Sequence, residues 1–269
     1  MIRVMRACRA ALLLIALVAA GCASIPPDAG RNPADPLEVY NRHVFEFNER
    51  LDRYVLKPVA EGYVTVVPEP ARDCIGNVFR NLGDVGNAVN NLLQGKLFEA
   101  SSDLCRVAIN STIGLLGCFD VATRVGLVRS NEDFGQTLGR WGVGPGPYFV
   151  LPLLGPSTIR DTFGRVADAY GDPLTYLDSS RVALSAQTLR VIDTRAELLR
   201  ATRVLEGAAL DKYLFVRDGF LQRRRNLIYD GNPPRVDEPE DAAPPPEPPP
   251  ADAPKGGVGG DQPRAAPPR

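Results

Sequence analysis

Histidine, which most catalytic triads and pairs require, occurs only once in this 269-residue chain. Its single histidine, His43, lies where the spacing of apolar residues predicts an amphipathic helix. A Ser-His-Asp triad, a two-histidine metal site and a Cys-His pair all require a histidine beside other reactive groups. Glu132 and Asp133 are adjacent in sequence, and adjacent side chains on a helix do not face each other. We therefore predict that the chain is not an enzyme and needs neither a metal nor a cofactor.

The sequence also argues against a phosphate-binding loop and against nucleic acid as a partner. The segment Gly142-x-Gly144-x-Gly146 is a weak signal for a phosphate-binding loop, because no lysine follows and no β-α-β pattern surrounds it. The formal net charge is −1 and no basic patch stands out, so nucleic acid is not an expected partner.

Cys22 follows a segment that is typical of a bacterial lipoprotein signal. Three arginines precede an apolar run at residues 10–20, which is too short to span a bilayer, and Ala-Ala-Gly precedes the cysteine like a lipobox. We predict a signal peptide at 1–21, an acylated Cys22 and a tether at 22–34. Each buried methylene of an acyl chain contributes roughly 0.8 kcal/mol, so the anchor would be permanent. An ordinary signal peptide with an incidental cysteine is the alternative.

Three cysteines remain in the mature chain, Cys74, Cys105 and Cys118. The periplasm is oxidising, so one disulfide and one free thiol are expected, in any of three pairings. Cys74 and Cys118 lie near segment ends, whereas Cys105 lies within a predicted helix and suits a small buried apolar position. We favour the pair Cys74–Cys118 and leave the others open.

The elements between the two ends are helical by pattern. Asp35 is a candidate N-cap for the first helix, with Glu38 closing a capping box. Residues 71–93 are expected to be helical in two pieces, hinged near Gly83 to Gly86. The longest helical pattern covers 181–207, and Asp211 is placed to cap a last helix. No convincing alternating strand occurs.

These patterns predict one all-α domain over residues 35–230. From Gly231 to the end, 13 of the 39 residues are proline and large apolar side chains are almost absent. Such a tail, 231–269, has the composition of a disordered segment.

The stretch at 135–161 departs from the helical pattern. It is rich in glycine and proline, which interrupt helices and central strands, and yet it is strongly apolar. An apolar loop must be buried, line a cavity or face lipid. The candidates for lipid-path or membrane-facing positions are Trp141, Tyr148, Phe149, Leu151, Leu153 and Leu154. Packing of the aromatic rings against helix faces is the alternative.

Several collinear motifs resemble the MlaA/VacJ family of outer-membrane lipoproteins. The resemblance runs from about residue 34 to 230 and is carried by Asp35-Pro36-Leu37-Glu38, Asn41-Arg42, Asn90 to Gly95, Asn110 to Gly114, Glu132 to Gly139 and Pro156 to Asp161. It implies a helical ring in the inner leaflet of the outer membrane, with a central amphipathic channel for phospholipids. It also implies a trimeric outer-membrane porin and a periplasmic lipid carrier as partners.

The resemblance implies removal of phospholipids from the outer leaflet, which maintains lipid asymmetry. Asn41, Arg42 and Asn48 match the family's first helix motif and would line the channel or bind head groups, unless they form caps and interhelix hydrogen bonds. Arg160 and Asp161 suit a local ion pair better than head-group contact. The alternative function is a structural lipoprotein that supports the envelope without a lipid channel.

Overall fold

The computed structural model describes residues 25–26, 29–30, 32, 35–208 and 211–234, without the side chains of 203–208. The predicted signal peptide, Cys22 and the chain beyond residue 234 lie outside these ranges, as does most of the predicted tether. The helices and strands belong to the first of two units, Met1–Pro233, and only Pro234 is described in the second, Pro234–Arg269.

Helices make up most of the described part of the chain. Its helices are α1 (Glu38–Leu51), α2 (Lys57–Val66), α3 (Glu69–Leu93), α4 (Leu97–Thr112), α5 (Val121–Arg124), α6 (Phe134–Arg140), α7 (Ile159–Gly171), α8 (Ser180–Ala208) and α9 (Lys212–Ile228). A π-helical turn, Asp52–Leu56, joins α1 to α2, and a 3-10 turn, Pro173–Tyr176, follows α7. None of the helices in the described ranges combines the length and apolar character needed to cross a membrane.

The first helix does not begin as predicted. Its N-cap position is Leu37, which makes no side-chain cap, so the assignment of Asp35 as the N-cap is wrong. The Asp35 carboxylate is fully buried and accepts hydrogen bonds from Asn41 and Tyr213, so it is not available to the helix N–H groups. Glu38 pairs instead with Arg42, one turn further on. The predicted cap at Asp211 is confirmed, since its side chain accepts from the Leu214 N–H.

Helix α3 is continuous, so the predicted break near Gly83 to Gly86 is wrong. Gly83 allows a close approach, because a Cβ there would lie 3.1 Å from the Arg129 guanidinium. A Cβ on Gly86 would meet nothing within 4 Å, since this residue borders a cavity. Gly83 therefore leaves room for Arg129 and Gly86 borders the cavity, while the helix itself continues through both residues.

Two short strands also form where no strand was expected. Strands β1 (Tyr148–Leu151) and β2 (Gly155–Thr158) pair antiparallel, with Val150 opposite Pro156. Proline has no N–H for the partner strand. The Val150 N–H points away from β2 and donates to the side chain of Asn41, so the proline removes no bond that this residue needs.

A disulfide joins Cys74 on α3 to Cys118 in the turn after α4. It fixes the glycine-bounded turn at 113–119 against the longer helix. Cys105 is a free thiol, and it is exposed on α4 rather than buried. The expectation that Cys105 fills an apolar interior position is therefore wrong, because it lies on the outer side of its helix.

Candidate functional site

The buried residues of this domain are mostly polar and many of its exposed residues are apolar, which is the reverse of the distribution in most soluble domains. Twenty polar or charged residues are buried among the described residues, against eleven apolar ones, of which four are alanines. Large apolar side chains are exposed along most of the elements, including Val66 at 80%, Phe98 at 81% and Val128 at 82%. Extended exposed apolar surface of this kind marks contact with a partner or with lipid.

Ion pairs and amide groups fill the interior near α4. Arg106 is almost completely buried and contacts Asp84 on α3 at 3.1 Å and Asp120 at 3.2 Å. Burial alone would raise the pKa of Asp120, but hydrogen bonds from Thr123, Asn110 and Arg106 outweigh burial and lower the pKa to about 2. The network ties α3, α4 and α5 together through charges that have partners.

A second polar network joins α6, α7 and α9. Arg224 donates to Asp133, the N-cap of α6, at 2.9 Å and to Asp161 in the first turn of α7 at 2.8 Å. Burial would raise the pKa of Asp133, but the hydrogen bonds and charge of Arg224 outweigh it and lower the pKa. The local pair expected between Arg160 and Asp161 is confirmed at 3.0 Å.

Glycines bring α6 and α7 into backbone contact. A Cβ on Gly164 would lie 2.3 Å from the nitrogen and 2.6 Å from the Cα of Gly135. This contact places the N-terminus of α6 on α7, where the Phe134 N–H meets the carboxylate of Asp168.

A cavity of about 470 Å³ lies between α3, α6 and α7. Its volume is within the range of small-molecule pockets. Its apolar lining comes from Leu82, Val89, Leu93, Phe134, Ala167 and Pro173. Its polar lining includes Asn87, Asn90, Arg129, Glu132, Asp168 and Asp172. The cavity therefore presents apolar and charged groups together, which suits an amphiphile with a charged head.

A second cavity of about 450 Å³ is mainly apolar and adjoins the hairpin. Leu151, Leu154, Val166 and Tyr170 contribute to its lining, and Arg165 is its charged residue. The Arg165 guanidinium donates to the carbonyl oxygens of Leu154 and Pro156, each at 2.9 Å. These bonds hold the hairpin turn on α7.

Two turns present leucines outward on strained backbone. Leu115 and Leu116 have φ of 52° and 57° and are 66% and 77% exposed, and Leu153 has φ of 68° and is 60% exposed. A non-glycine residue in this left-handed region costs about 1–3 kcal/mol. Water does not stabilise exposed apolar side chains, so contact with water cannot offset this strain. Contact with an apolar environment would do so at both turns.

The six candidates in the 135–161 stretch separate into three groups. Trp141 and Leu154 are exposed like Leu153, at 55% and 65%. Phe149 and Leu151 are half-buried. Tyr148 is 1% exposed, so its assignment to a membrane-facing position is wrong. Its ring packs in the apolar cluster at 6.5 Å from Tyr213 and 6.0 Å from Phe220.

Trp141 also has a local structural role. Its indole N–H donates to the Leu93 carbonyl oxygen at 3.1 Å, at the C-terminal end of α3. Its ring meets Phe134 edge to face at 6.0 Å. An amphipathic ring with its polar atom satisfied and over half its surface exposed suits a lipid–water boundary.

Two of the three first-helix candidates, Asn41 and Arg42, are buried within the fold. Asn41 is fully buried and Arg42 is 7% exposed, so the expectation that these two residues line a channel or bind head groups is wrong. Arg42 contacts Glu38 at 2.8 Å and Asp211 at 3.0 Å, with its guanidinium 4.5 Å above the ring of Tyr213. Asn48 is half-buried and bonds the backbone at Leu151 and Leu153.

The sequence pointed to only some of the polar residues of the larger cavity. Asn90, Glu132 and Asp133 belong to motifs that carried the family resemblance. Asp168 had no such signal, because a single carboxylate in a helix pattern normally faces solvent. Within the described ranges, no cluster of three or more His, Cys, Asp or Glu side chains is arranged to hold a metal ion.

Comparisons with known proteins agree with this geometry. The solved structure described as "Structural basis for maintenance of bacterial outer membrane lipid asymmetry" matches with a TM-score of 0.65 and 37% identity, over 72% of this chain and 98% of that one. This match confirms the helical, ring-like fold class expected from the sequence. The chain thus belongs to this class of helical proteins, and in it most of the buried residues are polar while many large apolar side chains are exposed.

Sequence relatives name the family. The profile described as MlaA lipoprotein matches residues 33–227. The "Intermembrane phospholipid transport system lipoprotein MlaA" of Escherichia coli K12 is 37% identical over 79% of this chain and 85% of its own length. The protein of the same name from Haemophilus influenzae is 33% identical over 81% and 89%. The chain belongs to the MlaA lipoprotein family.

Proposed function

We propose that the protein is an outer-membrane lipoprotein that removes phospholipids from the outer leaflet and passes them to a periplasmic carrier. In this role it maintains the lipid asymmetry of the outer membrane. The observation that carries the proposal is the cavity between α3, α6 and α7, with apolar and charged walls inside a helical domain. The names of the relatives, which are lipoproteins of intermembrane phospholipid transport, support the same function.

A phospholipid has two apolar tails and a charged head, and its passage needs walls of both kinds. Leu82, Val89 and Leu93 form an apolar row on α3, and Asp168 on α7 and Arg129 contribute charge to the same cavity. Transport breaks no covalent bond, so it requires no nucleophile or general base. We accordingly propose a binding and transfer role without enzymatic activity.

The exposed apolar surface supports a position in the membrane. The leucines of the turns at 113–119 and 152–154, together with Trp141, would contact acyl chains, and Cys22 would carry the lipid anchor. Irregular backbone at membrane depth is tolerated where it is covered by protein or borders a cavity. The hairpin meets this condition on one side through its bonds to α1 and α7.

The partners expected from the family resemblance fit this position. A trimeric porin would hold the lipoprotein in the outer membrane, and a soluble carrier would receive the lipid on the periplasmic side. Co-purification of each partner with the full-length acylated protein tests this part of the proposal.

A deletion strain tests the function. Loss of the protein should increase phospholipid in the outer leaflet and raise sensitivity to detergent, and the full-length gene should restore both. Unchanged outer-leaflet phospholipid in the deletion strain would refute the function. If the deletion strain loses lipid asymmetry while its envelope keeps its mechanical strength, the alternative of a structural lipoprotein is excluded.

A further inference from the structure

Asp168 differs from the other carboxylates that border the larger cavity. Each of those carboxylates has a cationic partner within 4.0 Å, whereas Asp168 has hydrogen-bond donors and no ion pair. The pairs are Lys96 with Glu132, Arg224 with Asp133, and Arg190 with Asp172. Among the described carboxylates that border this cavity, only Asp168 therefore lacks a direct ion pair with a side-chain cation.

Three elements fix the position of this carboxylate. Asp168 lies on α7, its Oδ1 accepts from Asn90 Nδ2 on α3 at 3.2 Å, and both of its oxygens share the Phe134 N–H of α6 at 3.1 Å. Asn90 is fixed in turn, because its Oδ1 accepts from the Thr137 hydroxyl at 2.8 Å. A carboxylate can accept about four hydrogen bonds, so Oδ2, with only a shared N–H, has room for another donor.

The negative charge of a half-buried carboxylate is costly unless a cation comes to it. An inorganic divalent ion would need several oxygen ligands, and the described residues include no cluster of three acidic, His or Cys side chains that supplies them. A primary ammonium has three N–H donors, and it can give one of them to the Asp168 carboxylate without the closed set of oxygen ligands that a divalent ion requires. Arg129 and Arg190 border the same cavity, and each is paired with one carboxylate, Asp84 and Asp172 respectively. A guanidinium has five N–H donors, so each can also donate to an anionic group next to the ammonium.

We propose that Asp168 binds the ammonium group of a phospholipid head group, so that the cavity prefers lipids with a primary amine, such as phosphatidylethanolamine. This inference rests on the proposed function and names the lipid class that the cavity takes. A primary ammonium donates a charge-assisted hydrogen bond to a carboxylate. A glycerol head group carries no positive charge and forms only a neutral hydrogen bond there.

The test uses the full-length protein and Asp168→Asn, each incubated with vesicles of equal phosphatidylethanolamine and phosphatidylglycerol with identical acyl chains. Bound lipids are then counted by mass spectrometry after re-purification. The wild type should retain phosphatidylethanolamine over phosphatidylglycerol by about tenfold, as one charged hydrogen bond allows. In Asp168→Asn the ratio should fall to about one, because the amide keeps the shape but lacks the charge.

Asp193→Asn is the matched control. Asp193 is buried, accepts a hydrogen bond from the Tyr63 hydroxyl at 2.9 Å and, like Asp168, has no ion pair among the described residues, but it does not border the cavity. Its variant should keep the wild-type ratio. Acetylating the lipid amine provides a second measurement that needs no variant, and the wild type should then lose its preference.

Two results would overturn the inference. If the wild type binds phospholipid with no head-group preference, or Asp168→Asn keeps the preference, Asp168 is not the ammonium site and the proposed transport function stands. If no protein retains any phospholipid, the proposed function fails and the inference fails with it.

Discussion

Asn41 and Asn48 lie two turns apart on α1 and bond successive parts of one edge of the hairpin. Asn41 donates to the Tyr148 carbonyl at 3.2 Å and accepts from the Val150 N–H at 2.8 Å. Asn48 donates to the Leu151 carbonyl at 2.9 Å and accepts from the Leu153 N–H at 2.8 Å. Seven helical residues rise roughly 10.5 Å, close to the roughly 10 Å of three strand residues. Two side-chain amides on a helix thus take the place of a neighbouring strand.

Replacing these asparagines tests how the hairpin is held. Asn41→Ala leaves buried backbone groups of β1 without a partner and should lower the free energy of unfolding by about 2–3 kcal/mol. Asn48→Ala should cost about 1 kcal/mol, because Asn48 is half-buried and water can replace it. Urea unfolding followed by circular dichroism measures both. Equal decreases in the free energy of unfolding for the two variants would contradict the larger cost expected at the buried Asn41.

The contact of α6 with α7 depends on Gly164. Gly164→Ala would put a methyl group 2.3 Å from the Gly135 nitrogen, which the packed backbone cannot accommodate without moving. We expect a loss of about 2 kcal/mol or more in the free energy of unfolding. Gly62→Ala is the control, since Gly62 lies on α2 with nothing within 4 Å of its Cβ. That change should be neutral or stabilise by about 0.5–1 kcal/mol. A tolerated Gly164→Ala would contradict the close packing.

Asp120 gives the fold a dependence on acid pH. Its pKa in the folded protein is about 2, below its ordinary value of 3.8, so ionised Asp120 stabilises the fold above pH 3.8. That contribution should fall as pH drops from about 4 and be lost below about 2. Asp120→Asn removes the titration. The wild type should therefore be more stable than the variant at pH 7, and the difference should vanish near pH 2 in urea titrations. A difference independent of pH would contradict the role of the charge.

The exposed leucine turns should be in contact with acyl chains. Phospholipids with a diazirine in the acyl chain, activated by light in outer-membrane vesicles, should label Leu153, Leu154 and the turn at Leu115 and Leu116. Tyr148 should stay unlabelled, because it is 1% exposed and serves as an internal control in the same stretch. Peptide mapping by mass spectrometry gives the sites. Labelling that avoids both turns would place them in water or against protein.

The sequence predicts the helices well because their signals are local. The cap at Asp211 and the length of α8 follow from residues within a few positions of each helix end. The hairpin was missed because its stability comes from Asn41 and Asn48, which are over a hundred residues away. No local pattern reports that a helix on the other side of the domain will supply the missing hydrogen bonds.

The roles of individual polar residues were harder to predict than the elements. Asn41 and Arg42 match a family motif, and a motif does not tell whether a residue meets a ligand or holds the fold. Asp168 gave no signal, since its meaning depends on three elements that converge only in the folded chain. Burial and ion pairing, which separate these residues, exist only in three dimensions.

The passage of phospholipid through the cavity between α3 and α7 is tested most directly at Gly86. A side chain added there has open space, so Gly86→Phe should fill the cavity without disturbing α3. Gly62→Phe adds the same ring on the exposed side of α2 and is the control. In a deletion strain that expresses each variant at equal level, outer-leaflet phospholipid should stay high with Gly86→Phe and return to normal with Gly62→Phe. Full restoration of asymmetry by Gly86→Phe would contradict a lipid path through this cavity.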